Sequence, residues 1–118
     1  TGNLLATPCG SMYCIDWEFA TMGPAAFDLG CVLGCLLLAW VTLGWSKGTD
    51  SAQQRQRQRA WLADSAAVFW QQFSAKYGAM QRAAHGAQQG AEAAAFDEQA
   101  MFRDMVGFAA FYMIRLTI

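Results

Sequence analysis

Two short apolar stretches, Leu4-Leu5-Ala6-Thr7 and Met12-Tyr13-Cys14-Ile15, flank the turn-forming Pro8-Cys9-Gly10-Ser11. Proline and glycine supply the dihedrals of a chain reversal, so the pattern predicts a β-hairpin. Gly23-Pro24 then breaks the chain, and Asp28 stands just ahead of a run from Leu29 to Trp45 that carries no charge. Asp28 can cap or support a helix start there, and the run predicts a long helix. Its length reaches the lower limit for crossing a bilayer. Gly30, Gly34, Gly44, two cysteines and Thr42 make it less apolar than a typical span, and Gly30-x-x-x-Gly34 permits close helix packing in soluble cores as well as in membranes. The run therefore reads as the central helix of an α-rich lobe, apolar all round because other elements surround it.

Lys47 to Ser51 form a polar linker. Beyond it, Gln53-Gln54-Arg55-Gln56-Arg57-Gln58-Arg59 leads into Trp61, Leu62, Phe69 and Phe73, whose recurrence at spacings of four and seven predicts an amphipathic helix. The arginines alternate, so Arg57 points away from Arg55 and Arg59, and the polar run reads as a solvated face. From Gly78 to Ala95 alanine, glycine and glutamine dominate, a composition that buries little and suits a loop or loosely helical insertion. The last pattern, Phe96 to Ile118, spaces Met101, Met105, Phe108, Phe111, Tyr112 and Arg115 as a helix. Asp97 and Glu98 stand at its start, where the helix dipole favours negative charge.

At 118 residues the chain holds at most one domain, and an apolar fraction of 55% is enough for a core. Opening at Thr1 inside what reads as a motif, and stopping at Ile118 inside an apolar helical pattern, it reads as a fragment. A formal charge of −1 argues against a dedicated nucleic-acid binder, which shows a basic face. Cys9 and Cys14 flank a turn, and Cys31 and Cys35 lie one helical turn apart; neither pair forms a Cys-x-x-Cys knuckle. They read as reduced, buried thiols acting as small hydrophobes, in keeping with a cytoplasmic protein without a secretory signal. His85 has no acidic or cysteine neighbour in its segment and is assigned no chemistry. Trp17 reads as core.

The chemistry concentrates in Asp16-Trp17-Glu18, where two carboxylates stand one residue apart just after an apolar strand. Magnesium prefers hard oxygen ligands and shares them with substrate phosphates, so a short acidic loop at a strand end suits a triphosphate anchor. Taken alone, Asp-x-Glu is common on surfaces. It gains weight from its company: Thr1-Gly2-Asn3 ahead of the hairpin, then Glu18-Phe19, Gly23-Pro24 and Phe27-Asp28-Leu29-Gly30 behind it.

This arrangement resembles the kinase-like small-molecule phosphotransferases of the aminoglycoside phosphotransferase and choline kinase group. Within that group, residues 1–30 look most like the 5-methylthioribose kinase family, which carries Asp-x-Glu where protein kinases carry Asp-Phe-Gly. A second patch, Phe102 to Ala110 with Met113-Ile114-Arg115, is similar to that family's late helix, which ends in two adjacent arginines used for the sugar substrate. Here Leu116 occupies the second arginine's position.

The resemblance implies an α+β, mostly α fold: the C-terminal lobe of a protein-kinase-like fold, with a short β-hairpin at its start. It implies that Asp16 and Glu18 hold Mg2+ on the phosphates of ATP, with Asn3 a further ligand or an orienter of an aspartate base expected upstream of Thr1. It further implies that Arg115 binds the substrate and that Asp28 is structural, bracing the catalytic loop or the helix entrance. The implied reaction moves the ATP γ-phosphate to the anomeric hydroxyl of 5-methylthioribose in methionine salvage. The partner is then a small sugar, with no nucleic acid and no membrane, and with room for a homodimer. The chain alone is expected to be inactive, since the base, the glycine-rich loop and the nucleotide lysine lie outside it. Two rivals remain open: a sibling acting on choline, homoserine or an aminoglycoside, and a non-catalytic membrane or interaction fragment.

Overall fold

The computed structural model describes residues 4–16, 20–45, 51–87 and 96–118. In chain order these form strands β1 (Leu4–Ala6) and β2 (Met12–Cys14) and helices α1 (Ala25–Trp45), α2 (Ala52–Ala87) and α3 (Glu98–Thr117). The fold is α+β and mostly α, as expected. β1 and β2 pair antiparallel with Leu4 opposite Cys14, Leu5 opposite Tyr13 and Ala6 opposite Met12. Gly10 turns the chain at φ +84°, a left-handed conformation that glycine adopts without steric cost. The Thr7 N–H donates to the Ser11 carbonyl at 2.9 Å, and the Ser11 N–H donates to Thr7 Oγ1 at 3.0 Å, closing the loop.

α1 begins at Ala25, ahead of Asp28 rather than behind it. Pro24 fixes its own φ near the helical value, its carbonyl accepts from the Phe27 N–H at 2.9 Å, and Ala25-Ala26 are strong helix formers. Asp28 thus lies inside the first turn, where its charge complements the helix dipole. α2 begins at a polar cap: the Gln54 N–H donates to Ser51 Oγ at 3.1 Å. It runs on through Gly78 to Ala87, so the first part of the segment rich in alanine, glycine and glutamine is helical. Residues 88–95 lie outside the described residues. Asp97 caps α3, accepting from the Ala100 N–H at 2.9 Å.

α1 and α3 meet along the glycine stripe. A Cβ built on Gly30 would stand 2.5 Å from Phe108 Cβ and 2.9 Å from both the Ala109 nitrogen and the Met105 oxygen. One built on Gly34 would stand 2.8 Å from the Tyr112 ring. The two helix backbones therefore approach at distances only glycine permits. Ala26, Leu29, Met105 and Ala109 are buried around this seam, and Leu62 of α2 is the remaining buried apolar residue among those described. α2 meets α3 and the residues leading into it through rings instead: Trp70 meets Phe102 of α3 at 5.0 Å and Tyr77 meets Phe96, just ahead of α3, at 5.2 Å, both edge to face. The buried Gly78 leaves room for the Phe96 ring, which a Cβ there would meet at 3.2 Å.

The polar start of α2 departs from the solvated face expected of it. Arg57 is exposed, in keeping with the alternation, but Arg59 is half-buried with its guanidinium 3.7 Å above the Trp40 ring of α1. By length and composition α1 could cross a membrane; here one of its faces is packed against α3 and another against α2.

Candidate functional site

β2 ends at Cys14 and delivers the chain, through Ile15, to Asp16. Asp16 is exposed and holds φ at +68°, the one positive φ at a non-glycine residue among those described. A left-handed residue other than glycine costs about 1–2 kcal/mol, and aspartate tolerates it better than most because its short polar side chain can bond locally. Such conformations collect at binding and catalytic loops, where the geometry they impose is used.

Glu18 and Asn3, the other expected metal ligands, lie outside the described residues. Among the described residues no three His, Cys, Asp or Glu side chains gather into a metal-binding group. Asp16 alone therefore represents the expected donor set, and its carboxylate is of the hard-oxygen kind that magnesium takes.

Asp28 and Arg115, assigned separate roles from sequence, are brought to the same stretch of the α1–α3 seam. Asp28, Cys31 and Cys35 lie on one side of α1, and Tyr112 and Arg115 lie one turn apart on α3. The Cys35 thiol donates to Tyr112 Oη at 3.3 Å. That bond, followed by desolvation and the neighbouring thiols, holds the Tyr112 hydroxyl above its ordinary range, while Arg115 pulls the other way. Burial raises the Cys31 thiol, and the nearby Asp28 carboxylate raises it further; Arg115 again opposes. The carboxylate and the guanidinium thus both act on Cys31 from opposite helices. Arg115 is exposed in the last turn of α3, where a cation complements the helix dipole.

This grouping was hidden in the sequence. The spacing Asp28, Cys31, Cys35 is that of one helix face, and so is Tyr112, Arg115, but nothing in either pattern says that the two faces meet. The glycines were the available signal, since Gly30 and Gly34 mark the close-packed side of α1.

The sequence model of the phosphotransferase enzyme family (APH) matches residues 1–69. Methylthioribose kinase of Yersinia pseudotuberculosis serotype O:1b (strain IP 31758) is 37% identical over 113 residues, covering 92% of this chain and 26% of the relative. Methylthioribose kinase of Pectobacterium carotovorum subsp. carotovorum (strain PC1) is 34% identical over 112 residues, covering 92% of this chain and 27% of the relative. Methylthioribose kinase 1 of Oryza sativa subsp. japonica is 34% identical over 77 residues, 65% of this chain and 17% of the relative. The chain thus spans between 17% and 27% of the length of these relatives. No solved structure matches significantly.

Proposed function

The chain belongs to the phosphotransferase enzyme family, and from that premise we propose that the protein carrying it transfers the γ-phosphate of ATP to the anomeric hydroxyl of 5-methylthioribose, in the cytoplasm and as a step of methionine salvage. The acceptor is suggested by the methylthioribose kinases, which are similar over 92% of this chain, a stretch that includes both the Asp16 loop and the α3 segment. The observation that carries the reading is Asp16, an exposed carboxylate set at φ +68° two residues beyond the end of β2.

In this reading Asp16, Glu18 and Asn3 would hold Mg2+, which supplies charge neutralisation at the β- and γ-phosphates when bound. The rest of the work is positioning. Asp16 presents an exposed carboxylate at the end of β2, and Asp28 braces the entrance of α1 against the end of α3 across Cys31. Arg115, at the last turn of α3, offers a guanidinium to the hydroxyls of the sugar. Phosphoryl transfer requires orientation and electrostatic stabilisation more than covalent chemistry, so these few groups match what the reaction asks of this part of the protein. Leu116 leaves Arg115 as the one cation at that helix end.

α1 is read as an interior helix and the protein as one that stays off the membrane. Its Gly30–Gly34 face is already occupied by α3, and Trp40 by Arg59.

The test is magnesium-dependent ADP release by the full-length protein over methylthioribose, choline, homoserine and an aminoglycoside, with and without Asp16→Ala. Turnover selective for methylthioribose and reduced at least about 100-fold by the substitution is expected. Turnover with another acceptor keeps the family and overturns the substrate. Undiminished turnover in Asp16→Ala overturns the assignment of the loop.

A further inference from the structure

Tyr112 stands on the α1–α3 seam one turn ahead of Arg115. It continues the face of α3 that carries the buried Met105 and Ala109, and its ring lies on Gly34 of α1. A Cβ on Gly34 would stand 2.8 Å from Tyr112 Cδ1 and 3.4 Å from Tyr112 Cβ, so the space left by the missing side chain is the seat of the ring. A ring seated on backbone has little room to change rotamer.

Glycine and alanine contacts bring two helices close, but they resist sliding and rotation through shape alone. A hydrogen bond adds direction. The thiol of Cys35, the residue after Gly34, donates to Tyr112 Oη at 3.3 Å, and both side chains are half-buried. Sulfur is a weak donor, and partial shelter from water strengthens what it gives.

Arg115 follows Tyr112 at the i+3 position, where Cβ atoms on one helix lie about 5–6 Å apart. Its charge is felt at the Tyr112 hydroxyl and at the Cys31 thiol, in each case against larger causes that act the other way. Arg115 itself is exposed. A long exposed side chain binds a small polar ligand tightly only when the helix beneath it is already in place, because ordering it at the moment of binding costs free energy. A misplacement of about 1 Å is enough to matter at a phosphotransfer site.

We infer that Tyr112, seated on Gly34 and held by the Cys35 thiol, is a positioning residue that sets the guanidinium of Arg115 toward the acceptor sugar. The inference rests on the reading of Arg115 as a substrate ligand.

The test measures KM and kcat of the full-length protein for methylthioribose at saturating ATP and Mg2+. Tyr112→Phe keeps the ring on Gly34 and removes the hydroxyl; it is expected to raise KM about threefold while kcat stays within about twofold. Cys35→Ala is expected to do the same, and the double variant no more than either alone, since both remove one bond. Arg115→Ala is expected to raise KM at least about tenfold, and adding Tyr112→Phe to it should change nothing further. Asp97→Ala loosens α3 at its other end and is expected to leave KM as it is. If Arg115→Ala raises KM and Tyr112→Phe does not, the inference is overturned and the reading of Arg115 stands. The same follows if the effect of Tyr112→Phe persists without Arg115, or if Asp97→Ala raises KM equally, because lost stability is then the cause. KM unmoved by Arg115→Ala, or no turnover of methylthioribose at all, overturns the reading of Arg115, and the inference falls with it.

Discussion

Along the α1–α3 seam, Gly30 and Gly34 set backbone against backbone, and Met105 and Ala109 are each only 1% exposed. On the hairpin, every residue from Leu4 to Asp16 except Thr7 is exposed, Met12 at 67% and Tyr13 at 58%. The helices gain stability from burial, whereas the hairpin is held by its own pairing and by the bonds of one turn, a structure that is marginal alone. Yet the hairpin carries the only left-handed aspartate among the described residues. The tightly packed region thus supplies the frame, and the lightly packed one carries the group expected to do chemistry. Substitutions in the two regions should separate stability from activity.

The largest effect on the frame is expected from Gly30→Ala. The new Cβ meets two backbone atoms at 2.9 Å, and neither can move aside without parting the helices. Overpacking of this kind costs about 1–3 kcal/mol, read as a fall in the urea midpoint of the full-length protein. Gly107→Ala is the matched control on α3, with nothing within 4 Å of the added carbon. There the same change should stabilise by about 0.5–1 kcal/mol, because alanine loses less backbone entropy in a helix. Equal effects at the two positions would mean that the seam is not packed as closely as the geometry says.

A smaller loss is expected from Asp97→Ala, which removes the acceptor of the Ala100 N–H at the start of α3. Capping substitutions of this type cost about 1 kcal/mol. The loss should appear as faster amide exchange in the first turn of α3, with the Met105 and Ala109 amides still protected. If protection falls along all of α3, the cap and the seam are one cooperative unit and the comparison must be drawn elsewhere.

The hairpin, the break at Gly23-Pro24 and all three helices were legible in the sequence because each is specified locally, by turn residues or by one period of apolar spacing. Arg115 in the last turn of α3 was legible for the same reason. What escaped is whatever depends on which face meets which. The alternation of Arg55, Arg57 and Arg59 correctly sent Arg57 to the opposite side, but the other face was read as solvated because arginine counts as polar in any periodicity argument. Its stem and flat guanidinium pack well on an indole, and Trp40 lies on a different helix. The start of α1 was misplaced because Asp28 looks like a cap, while Pro24 and two alanines start the helix earlier. The approach of Asp28 and Arg115 to Cys31 follows from the glycine seam, a tertiary fact that no single stretch of sequence contains.

The finest probe of the comparison is thiol chemistry, since Cys9 sits on the hairpin and Cys31 on the seam. The Cys9 sulfur lies 3.0 Å from Thr7 Oγ1 and 3.6 Å from Ser11 Oγ, and hydrogen bonds from these groups favour the thiolate, lowering its pKa from 9.0 to about 7. Cys31 is moved upward, first by burial and then by Asp28. Alkylation of Cys9 by iodoacetamide should therefore rise with pH through a midpoint near 7, whereas Cys31 should react only above the ordinary thiol range. Thr7→Val removes the larger contribution and should move the Cys9 midpoint up; Ser11→Ala should move it less. The linked stabilities have opposite signs. A depressed folded pKa gives Cys9 a contribution present above the unfolded value of 9.0 and lost as pH falls through about 7, while Cys31 contributes below the unfolded value and loses that contribution as pH rises through its folded one. If both thiols titrate together, the hydrogen bonds of the turn do not persist in solution, and the hairpin is then less ordered than the seam by more than its exposure alone implies.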